Sequence, residues 1–108
     1  MRDLVLTGGR IIDPATGRDE TADIAFADGR VTEIGHDLPV GDAKIVDVRG
    51  LVVVPGLIDL HTHVYWGGTS LGVDAVEVAR RSGTTTFVDA GSAGPGIFHG
   101  FRRHVIEP

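Results

Sequence analysis

The apolar run from Leu51 to Ile58 is cut at its centre by Pro55-Gly56, and the patterning of the chain differs on the two sides of that break. Proline has no N–H to give a continuing strand, and glycine takes backbone conformations closed to other residues. Before the break, Ala22 to Phe26 and Arg30 to Ile34 alternate in character around Asp28-Gly29. That dipeptide tolerates the positive φ angles of a tight hairpin. Leu4 to Leu6 lead into Gly8-Gly9, and Arg10 to Ile12 into Asp13-Pro14, two further turn signals. Lys44 to Val48 and Leu51 to Val54 flank Arg49-Gly50, an expected third turn. Residues 1–54 are therefore expected to form a small antiparallel β unit.

After the break the period changes. Leu57 to His63 reads as a strand. Val73, Val76, Ala79 and Arg80 fall at helical spacing, with Ser70 or Gly72 near the start and Gly83 as the stop. Thr84 to Val88 is β-branched and strand-like, Gly91 to Gly96 is a glycine-rich loop, and Phe98 to Glu107 reads as a second helix. Strand, helix, strand, helix implies parallel strands covered by helices. Two such units cannot cover both faces of a sheet, and a (β/α)₈ TIM barrel needs about 250 residues. Residues 55–108 are thus expected to be the opening of a larger α/β domain.

Composition narrows the function classes. Without cysteine there is no disulfide framework and no thiolate metal site, so any metal must use histidine and carboxylate; a reducing cytoplasm suits such a chain. The net charge of -5 and the lack of a basic stripe argue against nucleic acid. No apolar run approaches the roughly 20 residues of a membrane helix, and Asp3 stands where an export signal needs its apolar core.

The chemistry concentrates in Asp59-Leu60-His61-Thr62-His63. Side chains alternate along a strand, so Asp59, His61 and His63 share one face. Two imidazoles converging from one strand end suit a single divalent ion, and neutral imidazole is a natural zinc ligand. A bare His-x-His is common, however, and burying these polar groups without partners would be costly. A metal removes that cost only in part, because catalytic zinc usually takes three protein ligands.

"GLVVVPGLIDLHTH", preceded by "GGRIIDPATG" and "ADIAFADGRVTEIG", resembles the N-terminus of the amidohydrolase superfamily. The stretch from His61 to Pro108 is most similar to its amidohydrolase/deacetylase branch. The resemblance implies a small β-sandwich, here residues 1–54, followed by the first βα units of a TIM barrel, here residues 55–108. It implies hydrolysis of an N-acyl or O-acyl group of a small acylated substrate by metal-activated water, with one or two ions. His61 and His63 would be metal ligands and Asp59 a support for them. The bridging lysine, two later histidines and the catalytic aspartate of the family would lie beyond Pro108, so no residue here is expected to be catalytic. Lys44 precedes the histidine pair and cannot be the bridge. The dihydroorotase arginine that follows the second histidine is missing from Val64-Tyr65-Trp66-Gly67-Gly68, which points away from that activity.

Ser92, in a loop matching no phosphate-binding pattern, is the hydroxyl most suited to substrate contact. Tyr65 and Trp66 read as packing, and His36, His99 and His104 as surface or packing residues. The alternative to a hydrolase portion is a small, non-catalytic β-rich binding domain, which leaves the two βα units unexplained. A hydrolase portion with open strand edges is expected to self-associate.

Overall fold

Ten residues, Leu4–Asp13, form the first strand, β1, in the computed structural model, which describes residues 2–108. Gly8-Gly9, expected as a turn, is instead a bulge inside this continuous strand. β1 pairs antiparallel with β2 (Arg18–Ala27), and β2 with β3 (Arg30–Gly35). The β2–β3 hairpin closes on Asp28 and Gly29 with φ of 51° and 69°, as their residue types predict.

The expectation of a purely antiparallel unit is overturned at the other edge. β4 (Lys44–Asp47) and β5 (Val52–Val53) do not pair with each other; both run parallel to β1, opposite Leu4–Thr7 and Arg10–Ile11 respectively. Arg49-Gly50 is a local bend in one continuing course rather than a reversal. Leu51 N donates to Val48 O at 3.0 Å, and the chain resumes when Arg10 N donates to Leu51 O at 3.0 Å. The bend lies opposite the β1 bulge, where a Cβ on Gly9 would come within 2.9 Å of Val48 Cγ2.

The bulge also distributes the core. One extra residue in β1 flips the alternation of everything after it. Val5 therefore packs with Ala25 and Leu38, whereas Ile11 joins Ala22, Ile24 and Leu6 in a second cluster. Asp23 supports the bulge: its Oδ1 accepts from Gly8 N at 2.9 Å and its Oδ2 from Leu38 N at 3.2 Å. Asp23→Ala, which leaves Gly8 N and Leu38 N without their acceptor, is expected to loosen the bulge that sets the face of Ile11 and to cost roughly 2 kcal/mol. Faster amide exchange in β1 and β2 would register it, and unchanged protection would contradict the support given to Asp23.

The chain divides into two units, Met1–Pro55 and Gly56–Pro108. In the second, β6 (Leu57–Thr62) and β7 (Thr84–Asp89) pair in parallel around α1 (Ala75–Ser82), the expected crossover. The helix begins later than the Ser70 or Gly72 expected for it. Asp74 caps it, its Oδ1 accepting from Val76 N at 2.9 Å, and residues 66–71 are drawn into turns and a bend instead. Gly83 ends it at φ 71°, as its position predicts. After the glycine-rich loop, α2 (Phe98–Phe101) runs into a wider π-helical turn, Arg102–Ile106. Leu57, Ile58 and Leu60 of β6 stay exposed in this chain. Among the described residues no helix is long and apolar enough to cross a membrane.

Candidate metal centre

The C-terminal ends of β6 and β7 lie side by side because parallel pairing aligns Thr62 with Asp89. Ala90 N donates to Thr62 O at 2.8 Å, and the Thr62 hydroxyl to Val88 O at 3.1 Å. The two histidines stand at this end. Their ring centres are 5.7 Å apart and the ring planes cross at 77°. An ion bound to both rings would lie roughly 3.2 Å from each centre, and a tetrahedral angle then separates the centres by about 5.2 Å. The observed spacing is close to that. His61 is exposed and His63 half-buried.

Among the described residues no cluster of three or more His, Cys, Asp or Glu could hold a metal ion. The pair thus fits two positions of a metal centre and does not complete one. Asp59, placed on the same face by the sequence, touches His61 through the backbone: its Oδ1 accepts from His61 N at 3.1 Å. It fixes the strand at the first histidine rather than the imidazole itself.

Ser92 is found beside His63, with Oγ 3.1 Å from Nδ1. Sequence reading offered it as a substrate contact; the structure gives it a histidine neighbour. Asp89, to which the sequence assigned no role, organises this corner. Its Oδ1 accepts from Ser92 N at 2.6 Å and Gly91 N at 2.9 Å, and its Oδ2 from Val64 N at 2.9 Å. Partial burial disfavours its charge. The Ser92 and Val64 N–H groups, the Ser92 hydroxyl and the Gly91 N–H outweigh that and bring it from 3.8 to about 2. An aspartate ending a strand, followed two and three residues later by glycine and serine, is the only sequence signal that could have found it.

The loop after His63 folds back on itself. Val73 N donates to His63 O at 2.9 Å, so the loop's far end returns to the histidine. Tyr65 stacks on Phe101, ring centres 4.8 Å apart, which bears out packing for Tyr65; Trp66 is 64% exposed. The glycines around Tyr65 make room for it: a Cβ on Gly68 would overlap its ring, and one on Gly100 would approach its hydroxyl at 2.7 Å. His99 and His104 line an open cavity of about 660 Å³ with Arg102, Arg103 and Glu107, and neither His61 nor His63 is part of that lining. His36 is exposed in the first unit, its Nε2 3.9 Å from Glu20.

No family model matches the chain. Over 92 residues it is 45% identical to a deacetylase of Brucella anthropi, an alignment covering 83% of this chain and 23% of that protein. A dihydroorotase crystal structure matches with a TM-score of 0.85 at 35% identity, over 97% of this chain and 28% of the other. The chain belongs to the amidohydrolase superfamily. Another solved relative of this amidohydrolase chain is D-aminoacylase, with a TM-score of 0.51 and 39% identity over 58% of this chain and 13% of that one. That protein is described as having a binuclear metal center. The amidohydrolase chain spans about a quarter of the length of the deacetylase and dihydroorotase it matches.

Proposed function

We propose that this chain is the N-terminal part of a metal-dependent amidohydrolase that cleaves an amide or ester of a small acylated substrate, in the manner of a deacetylase. The observation that carries the proposal is the closeness of the His61 and His63 rings, centres 5.7 Å apart, at the end of the parallel strand β6. The 45% identity to a deacetylase and the TM-score of 0.85 to a dihydroorotase support it. On this reading, residues 1–54 form part of a β-sandwich and residues 55–108 the first βα units of a TIM barrel.

His61 and His63 would hold the ion, zinc being the natural match for two imidazoles. When bound, a divalent ion supplies Lewis-acid activation of the attacking water and of the scissile carbonyl. The histidines act as ligands and do not transfer protons. Asp59 keeps the strand at His61 in place, and Asp89 ties the residue after His63 to β7. With only two ligands and no general base, the 108-residue chain is expected to be catalytically silent. The working environment is a reducing cytoplasm, which suits a site without cysteine.

Zinc titration of the chain tests the reading. Weak uptake is expected, lost by at least about tenfold on His61→Ala or His63→Ala. Uptake indifferent to both substitutions would overturn the proposal, as would normal turnover of N-acetyl amino acids by this chain alone.

A further inference from the structure

We infer that Ser92 is a positioning residue that sets the tautomer of His63: its hydroxyl accepts the Nδ1–H of that imidazole and leaves the Nε2 electron pair free. The relevance to metal binding rests on the function proposed above; the hydrogen-bond arrangement itself does not.

A neutral imidazole carries one ring proton, and the partner of each nitrogen decides where it sits. Next to Nδ1 of His63 stands the Ser92 hydroxyl, at 3.1 Å. A hydroxyl is both donor and acceptor, so its role toward His63 depends on where its own proton goes. The ionised carboxylate of Asp89 only accepts. It takes the backbone N–H of Ser92 at 2.6 Å, and the Ser92 hydroxyl is among the groups that hold it in its charged form. The Asp89 carboxylate beside Ser92 draws the hydroxyl proton toward itself, which favours an oxygen that accepts from Nδ1 of His63, its neighbour at 3.1 Å.

Asp89 strengthens the arrangement from both sides. Its Oδ1 fixes the loop carrying Ser92 through Gly91 N and Ser92 N, while its Oδ2 fixes Val64, the residue after His63. One carboxylate thus sets the distance between donor and acceptor. The consequence is a ring of fixed orientation with Nε2 unprotonated, the form in which imidazole binds a metal. The imidazole of a histidine side chain in water prefers its proton on Nε2, so Ser92 works against the intrinsic preference. His61 differs, because its carboxylate neighbour Asp59 engages the backbone N–H.

Long-range proton–nitrogen correlation on the ¹⁵N-labelled chain, at a pH above the ordinary imidazole value of about 6.5, reads the His63 tautomer without any metal. The Nδ1–H form is expected to predominate. Ser92→Ala should shift the population toward Nε2–H, and Ser92→Thr, which keeps the hydroxyl, should restore it; unchanged backbone amide signals confirm the fold in each. Zinc titration of the same samples should show about a tenfold loss for Ser92→Ala and little for Ser92→Thr. The inference is overturned if native His63 carries its proton on Nε2, or if Ser92→Ala leaves the tautomer unchanged. Should the tautomer follow Ser92 while zinc uptake ignores both histidines, the assignment of Ser92 stands and the metal proposal falls. Should zinc uptake need both histidines while the tautomer ignores Ser92, the inference falls and the metal proposal stands.

Discussion

Replacing Gly72 with alanine is expected to open the loop that follows His63 and to destabilise the second unit by about 1–3 kcal/mol. A Cβ at this position would overlap the Tyr65 carbonyl oxygen, and would lie 2.6 Å from the Tyr65 carbonyl carbon and 2.9 Å from Trp66 N. These are backbone atoms and cannot swing aside as a side-chain end would. Relief requires moving the turn itself, and that turn feeds the hydrogen bond from Val73 N to His63 O. The substitution should therefore change the emission of Trp66, the one tryptophan of the chain, and weaken zinc uptake together. Gly67 makes a useful control. Open space surrounds it, so alanine there meets only the strain of φ 77°, about 1 kcal/mol. Equal stability of the Gly72 and native proteins would show that the loop does not close as described.

The second large effect falls on Asp89. Asparagine keeps the shape but loses the charge and one strong acceptor, leaving Val64 N or the pair at Gly91 and Ser92 poorly matched. A loss of about 2 kcal/mol is expected, within the range for hydrogen bonds to charged groups. The pH dependence gives a sharper signature. The folded carboxyl is at about 2, below its ordinary 3.8, so its stabilising contribution is complete above 3.8 and fades as pH falls toward 2. Urea unfolding followed by Trp66 should show that decline in the native chain and a flatter profile in Asp89→Asn. Parallel profiles for the two proteins would remove Asp89 from the role given to it.

How far the residues alone reveal this molecule depends on the range of the interaction. The Asp28-Gly29 hairpin, the Gly83 helix stop and the β6–α1–β7 order all follow from local chemistry, and all are present. The histidine pair is legible for the same reason: two residues at strand spacing share a face whatever surrounds them. The parallel placement of β4 and β5 is not legible locally, because Arg49-Gly50 suits a reversal as well as a bend, and only the neighbouring bulge at Gly8-Gly9 decides between them. The contact of Ser92 with His63 and the role of Asp89 escape sequence reading because the partners, His63 and Val64, lie 25 or more residues away in sequence. Nothing in either segment alone announces that meeting.

The mixed pairing of β1 has a kinetic consequence. Its antiparallel neighbour arrives through the short connection between Asp13 and Arg18, but its parallel neighbours come about forty residues later in sequence, with Lys44 opposite Leu4. Closing so long a connection loses chain entropy before any contact rewards it. The hairpins of β1, β2 and β3 should therefore form quickly, and the rate of refolding of the first unit should be set by the docking of β4 and β5 onto an edge that has been waiting for them.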